Sequence, residues 1–119
     1  MDIGDSKLPI FDLAGMMDRL MGDEPLVRML IEGFLDDIPK QIDTLRRFLD
    51  AGDVKSSERQ VHTIKGASAN MGGEMLRALA FEMEKEAKAG NLEYVKTRMP
   101  ELETQFMRLK KEMKKYTKK

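Results

Sequence analysis

The sequence predicts an all-α protein, an antiparallel up-down-up-down four-helix bundle with a short additional helix at its N-terminal side. Three observations predict it. Apolar residues recur at steps of three and four in every long segment, and no β-branched run alternates with the period of two that a half-buried strand requires. The segments are separated by only a few residues marked by Gly, Asp or Asn, so consecutive helices turn back on one another and bury their stripes together. The composition, 41% apolar and 35% charged with 11 Met and no Trp, suits helices packed on a Leu, Met and Ile core. A chain of 119 residues holds one core and is too short for two ordinary domains, so residues 1–119 read as a single domain.

Residues 1–8 are polar and read as a flexible lead or linker. Pro9 and Asp12 then bracket an apolar segment, Ile10, Leu13, Met17 and Leu20, whose spacing predicts a brief helix ended by Gly22. Asp23 is a suitable N-cap for the next helix, with Pro25 in its first turn, where a missing amide proton costs nothing.

That second helix spans residues 24–51, with Val27, Leu30, Ile31, Phe34, Ile38, Ile42, Leu45 and Leu49 inward. Pro39 lies inside it. The stripe continues in phase across the proline, which predicts a bend near residues 35–38 and not a break. Gly52 closes the helix and Asp53 caps the third, whose inward stripe is Val54, Val61, Ile64 and Met71 with small Ser57 and Ser68 in the gaps. Gly72 and Gly73 supply its C-cap, and the sequence leaves open which of the two shapes the helix end. The fourth helix begins near Glu74, turns Leu76, Leu79, Ala80, Met83 and Ala87 inward and stops at Gly90. Asn91 caps the fifth, in which Leu92, Val95, Met99, Leu102, Phe106, Leu109, Met113 and Tyr116 repeat without a slip past Pro100. A basic tail, residues 114–119, solvates the end of this helix and complements its dipole.

Composition also bounds the chemistry. With no Cys and a single His there is no disulfide and no thiolate, and a zinc site lacks nitrogen and sulfur ligands, so no metal is expected. No apolar run approaches the length of about 20 residues that spans a bilayer, and the N-terminus lacks a basic-then-apolar signal pattern. These features lead to the expectation of a cytoplasmic protein. Residues 1–53 carry 12 acidic and 6 basic side chains and the remainder 9 and 15, so the second half is positive although the whole is neutral. Much of that excess lies after Arg108.

The organising stretch is ERQVHTIKGASANMGG, residues 58–73, which holds the only histidine, His62. On a helix His62, Lys65, Gly66 and Ala69 share a face: one reactive ring, one cation and two nearly absent side chains. At 100° per residue His62 points roughly 135° away from the centre of the apolar stripe, which places it in solvent. A lone surface histidine is usually inert. Gly66 argues otherwise, because a helix glycine costs about 0.8–1 kcal/mol relative to alanine and core packing does not explain one on an exposed face.

The run HTIKGASANMGG resembles the signature of histidine-containing phosphotransfer (HPt) domains of multistep two-component phosphorelays: a His, a Lys three on, a Gly four on and a second Gly, here Gly72, ten on. The flanking segments resemble the neighbouring helices of that family, and the overall flavour is that of the HPt domain at the C-terminal end of hybrid sensor histidine kinases. The resemblance implies that His62 accepts a phosphoryl group from a receiver-domain aspartate and passes it to another receiver, with Lys65 compensating the charge of the transferring group. Gly66 and Ala69 then keep the surface low for a docking receiver, and Arg59 and Lys55, one and two turns before His62, are candidates for the same face. No glycine-rich nucleotide loop is present, so the implied protein is a carrier without its own ATP site. It takes no cofactor, with Mg expected only on the partner receiver, and its partners are upstream and downstream receivers. It is expected to be a monomer that binds neither nucleic acid nor membrane. An alternative is a bundle of the same shape acting only as a docking scaffold for receivers. A kinase dimerisation hairpin fits less well, since no ATPase domain follows.

Overall fold

A computed structural model describes residues 8–118. Among these residues there are five helices and no strand: α1 (Leu13–Arg19), α2 (Glu24–Asp50), α3 (Val54–Asn70), α4 (Glu74–Lys88) and α5 (Leu92–Thr117). The predicted lead lies almost wholly in residues 1–7, outside the described residues.

The four long helices form a closed antiparallel bundle in which each packs on the next in sequence and α5 returns to α2. Arg28, in the first turns of α2, donates to the Thr117 carbonyl at the end of α5 (2.7 Å) and stacks on the Tyr116 ring. Further along the same pair, Arg46 reaches Glu103 at 2.6 Å. The core runs the length of the bundle through Ile31, Ile38, Leu45, Ile64, Leu76, Met83, Leu102, Leu109 and Met113, all essentially inaccessible to water. Ser57 and Ser68 are buried as expected, and Ser68 returns its hydroxyl to the Ile64 carbonyl at 2.8 Å.

Helix boundaries follow local chemistry. Asp12, Asp23, Asp53 and Asn91 each accept a hydrogen bond from a backbone amide three residues on, the N-cap arrangement. Both α2 and α5 continue unbroken across Pro39 and Pro100. At the end of α3 the Gly72 amide bonds to the Ala69 carbonyl and the Gly73 amide to that of Ser68, with Gly72 left-handed at φ +73°, a Schellman closure. The open question about the two glycines is thereby answered: Gly72 shapes the helix end, while Gly73 is the N-cap residue of α4. A Cβ on Gly72 would also lie 2.7 Å from the Asp12 carbonyl oxygen, because Asp12 bonds backbone to backbone there and ties the α1 segment to the α3–α4 turn.

Some expectations about the stripes and about the end of α1 are corrected. Met16, not predicted to face inward, is the fully buried residue of α1, whereas Ile10, Leu13, Met17 and Leu20 cover the core from its rim. Of this seven-residue helix only the middle, at Met16, reaches inside. Its end is formed by Met21 in the left-handed position (φ 57°) followed by Gly22, where the sequence suggested glycine alone. Leu30 and Val54, each at 37%, stand at the edges of their stripes and not in the core. Leu92 and Tyr116 are half-buried at the two ends of α5.

Candidate functional site

Burial of Val61 and Ile64 fixes the rotation of α3, and with it the outward direction of the residue between them: His62 is exposed, with 63% of its side-chain surface accessible. The neighbouring helix is fixed likewise by Ala80, Met83 and Ala87, which turn Glu84 onto the flank of α4 that faces α3. Glu84 meets His62 there. Its Oε2 lies 2.7 Å from His62 Nδ1 and its Oε1 lies 2.6 Å from Lys65 Nζ, so one carboxylate, 17% accessible, holds both residues of the predicted pair.

Burial pushes the Glu84 carboxyl up, but the hydrogen bonds and charges of Lys65 and His62 outweigh it and hold the group below the usual carboxylate range. An ionised carboxylate only accepts hydrogen bonds. Nδ1 of His62 therefore carries the proton and donates it to Glu84, which leaves the lone pair on Nε2, the nitrogen on the other side of the ring. This is the tautomer a nucleophile needs, set by a neighbour in the way that a second residue commonly orients a working histidine.

Lys65 is mostly covered, 25% accessible, between Glu84 and the face of Phe81, whose ring centroid is 5.7 Å from Nζ. Gly66, the next residue, has open space where a side chain would begin, with nothing within 4 Å of an added Cβ. Ala69, one turn further, is half-buried. On the other side of His62, towards the start of α3, Lys55 and Arg59 line a cleft of about 420 Å³ with Glu58, His62, Glu84 and Lys88. The structure thus divides the predicted residues into two flanks around the histidine: Lys65, Gly66 and Ala69 on one, Arg59 and Lys55 on the other. Gly72 and Gly73 act at the helix end and belong to the fold.

Glu84 and Lys88 were missed by the sequence reading. One signal for Glu84 was available: His62 precedes Gly72 by ten residues and Glu84 follows Gly73 by eleven, and in an antiparallel hairpin residues equally far from the turn come level. Three alternate glutamates in α4, Glu82, Glu84 and Glu86, hide which one faces α3 until the apolar phase of that helix is fixed.

A bundle that offers one solvent-facing imidazole, with one nitrogen engaged by a carboxylate and the other free, is built as a histidine carrier that serves a partner at its surface. The chain belongs to the Hpt domain family, whose model matches residues 29–112. Its fold is similar to that of histidine-containing phosphotransfer protein B (HptB) from Pseudomonas aeruginosa PAO1, at 24% sequence identity over 92% of this chain and 96% of that chain, with a TM-score of 0.85. No curated relative matches the chain. It is accordingly a phosphotransfer module of a phosphorelay, a carrier and not a kinase, which works with receiver domains. Among the described residues no helix is long and apolar enough to cross a membrane.

Proposed function

We propose that His62 accepts a phosphoryl group from the aspartate of one receiver domain and passes it to the aspartate of another. The observation that carries the proposal is the 2.7 Å contact between Glu84 and His62 Nδ1, which leaves Nε2 as the attacking atom on an exposed ring. The Nε2 lone pair forms a bond to phosphorus while the bond from phosphorus to the aspartyl oxygen breaks, and the carboxylate departs with the electron pair. The ring keeps its Nδ1 proton and gains a positive charge as the new bond forms, facing the Glu84 carboxylate. Transfer onward is the same step reversed onto a second carboxylate, so a single geometry serves both directions.

The receiver docks over Gly66 and Ala69, where the surface beside the ring is low, with Arg59 and Lys55 at the opposite rim of the same face. Residues 1–119 act as one domain, a cytoplasmic monomer without an ATP site that binds neither nucleic acid nor membrane. Mg is held by the receiver and no cofactor by this chain.

Incubation with a phosphorylated receiver, followed by measurement of acid-labile phosphate, tests the proposal. The wild-type chain should take up label, and His62→Gln should take up none at an unchanged melting temperature, since the side chain is exposed. Label on the variant would assign the acceptor elsewhere. A wild-type chain that binds the receiver without taking label would be a docking scaffold.

A further inference from the structure

We propose that the cleft between the start of α3 and the end of α4 is a phosphoryl-binding site, in which Arg59, Lys88 and Lys55 hold the group carried by His62, while Lys65 acts indirectly as a positioning residue for Glu84. This rests on the reading that His62 is the acceptor.

The cations around the ring differ in what they are already doing. Lys65 is committed: its ammonium lies 2.6 Å from Glu84 Oε1 and against the Phe81 ring, and three quarters of its side chain is covered. A phosphoryl group placed there would compete with Glu84 for the same ammonium, weakening the pairing that orients His62. Arg59, Lys55 and Lys88 make no ion pair among the described residues, and all three line the cleft that His62 borders. Arg59 lies one turn before His62 on α3, Lys55 lies two turns before, and Lys88 lies one turn beyond Glu84 on α4. Because the two helices run antiparallel, these positions converge on one side of the ring.

The electrostatics agree. Glu84 is compensated by Lys65 and His62, so Arg59, Lys55 and Lys88 stand in the cleft against one further lining acid, Glu58, with Asp53 near enough to Arg59 to feel its charge. A phosphoryl group, with up to two negative charges and three acceptor oxygens, is the ligand such a lining favours, and walls of protein on two sides strengthen the field above that of an open surface. Division of labour follows: Lys65 and Glu84 set the proton on the ring, and the cleft draws in the incoming group.

Phosphoramidate, a small donor with no docking surface, separates this role from receiver docking. Wild-type chain, Arg59→Met, Lys88→Met, Glu58→Gln and Lys65→Met are incubated with it at fixed ionic strength, and phosphohistidine is followed by ³¹P NMR, with Lys114→Met on α5 as a control for net charge. Arg59→Met and Lys88→Met should each slow phosphorylation about three- to tenfold, Glu58→Gln should accelerate it, and Lys114→Met should leave it unchanged. The differences should shrink as salt is raised. Lys65→Met should change the tautomer of His62, read from ¹⁵N shifts of the imidazole, as well as the rate.

Arg59→Met and Lys88→Met reacting at the wild-type rate would overturn the cleft, as would equal slowing by Lys114→Met. A Lys65→Met variant that loses rate with its tautomer intact would return the direct role to Lys65 and overturn the division of labour. Failure of the underlying reading looks different: the wild type and His62→Gln would then label alike.

Discussion

Glu84 and His62, 22 residues apart in sequence, meet at 2.7 Å across the α3–α4 hairpin, and their contact decides which ring nitrogen is free. Removing the carboxylate should therefore damage transfer without damaging the bundle. Glu84→Ala is expected to slow transfer from a phosphorylated receiver by about 10–100-fold, the range typical for loss of a residue that orients a working histidine, and to leave His62 as a mixture of tautomers by ¹⁵N NMR. Glu84→Gln, which can still accept from Nδ1 through its amide oxygen, should keep the tautomer and lose less. If both variants transfer at the wild-type rate, the contact is incidental.

The same carboxylate links stability to pH. The folded state holds Glu84 below its ordinary value of 4.5, so at pH values between the two the unfolded chain binds more protons and stability rises with pH. The contribution is complete above the ordinary value and is lost as pH falls through the depressed one. Asp53, held low by the Ser56 amide at the start of α3, acts in the same direction. Urea melts of wild type and Glu84→Gln from pH 6 down to about pH 3 should converge as the acid limb is reached. A constant gap across that range would show that Glu84 does not titrate with folding.

Much of this site was legible beforehand, and the reasons are local. The outward direction of His62 follows from the phase of Val61 and Ile64 on one helix, and the bareness of Gly66 follows from the absence of a side chain. What was not legible needs two helices at once. Glu84 and Lys88 reach the histidine only because α4 packs on α3 at one particular rotation and register, which depends on the summed packing of both stripes. Met16 was missed for a related reason: α1 has only seven residues, too few for a stripe to set its phase, and its seat on the rest of the fold decides that Met16 is the residue buried.

The end of α1 carries a local strain that a single substitution should relieve. Met21 sits at φ 57° with 93% of its surface exposed, so it occupies a left-handed conformation with no packing in return. Met21→Gly should stabilise the domain by about 0.5 kcal/mol, the relief of left-handed strain exceeding the extra chain entropy of glycine. Thermal melts of the two proteins check the sign. A lower midpoint for the variant would mean that the extra chain entropy of glycine outweighs the relieved strain.

Gly66 and Gly72, six residues apart, should respond to substitution in opposite directions. An added Cβ on Gly66 meets open space in a regular helix, so Gly66→Leu should melt at or above wild type, gaining about 0.5–1 kcal/mol of helix propensity. On Gly72 the same atom meets the Asp12 carbonyl at 2.7 Å in a left-handed residue, so Gly72→Ala should cost roughly 2 kcal/mol and loosen α1 from the α3–α4 turn. Function should divide the other way. Gly72→Ala, where it folds, should still relay, because its glycine shapes a helix end and not the reacting face. Gly66→Leu should react with phosphoramidate, whose approach needs no flat surface, and fail with a phosphorylated receiver, whose approach does. Normal relay by Gly66→Leu would show that the open surface beside His62 is not where the receiver sits, while unfolding would show that the helix face has been assigned wrongly.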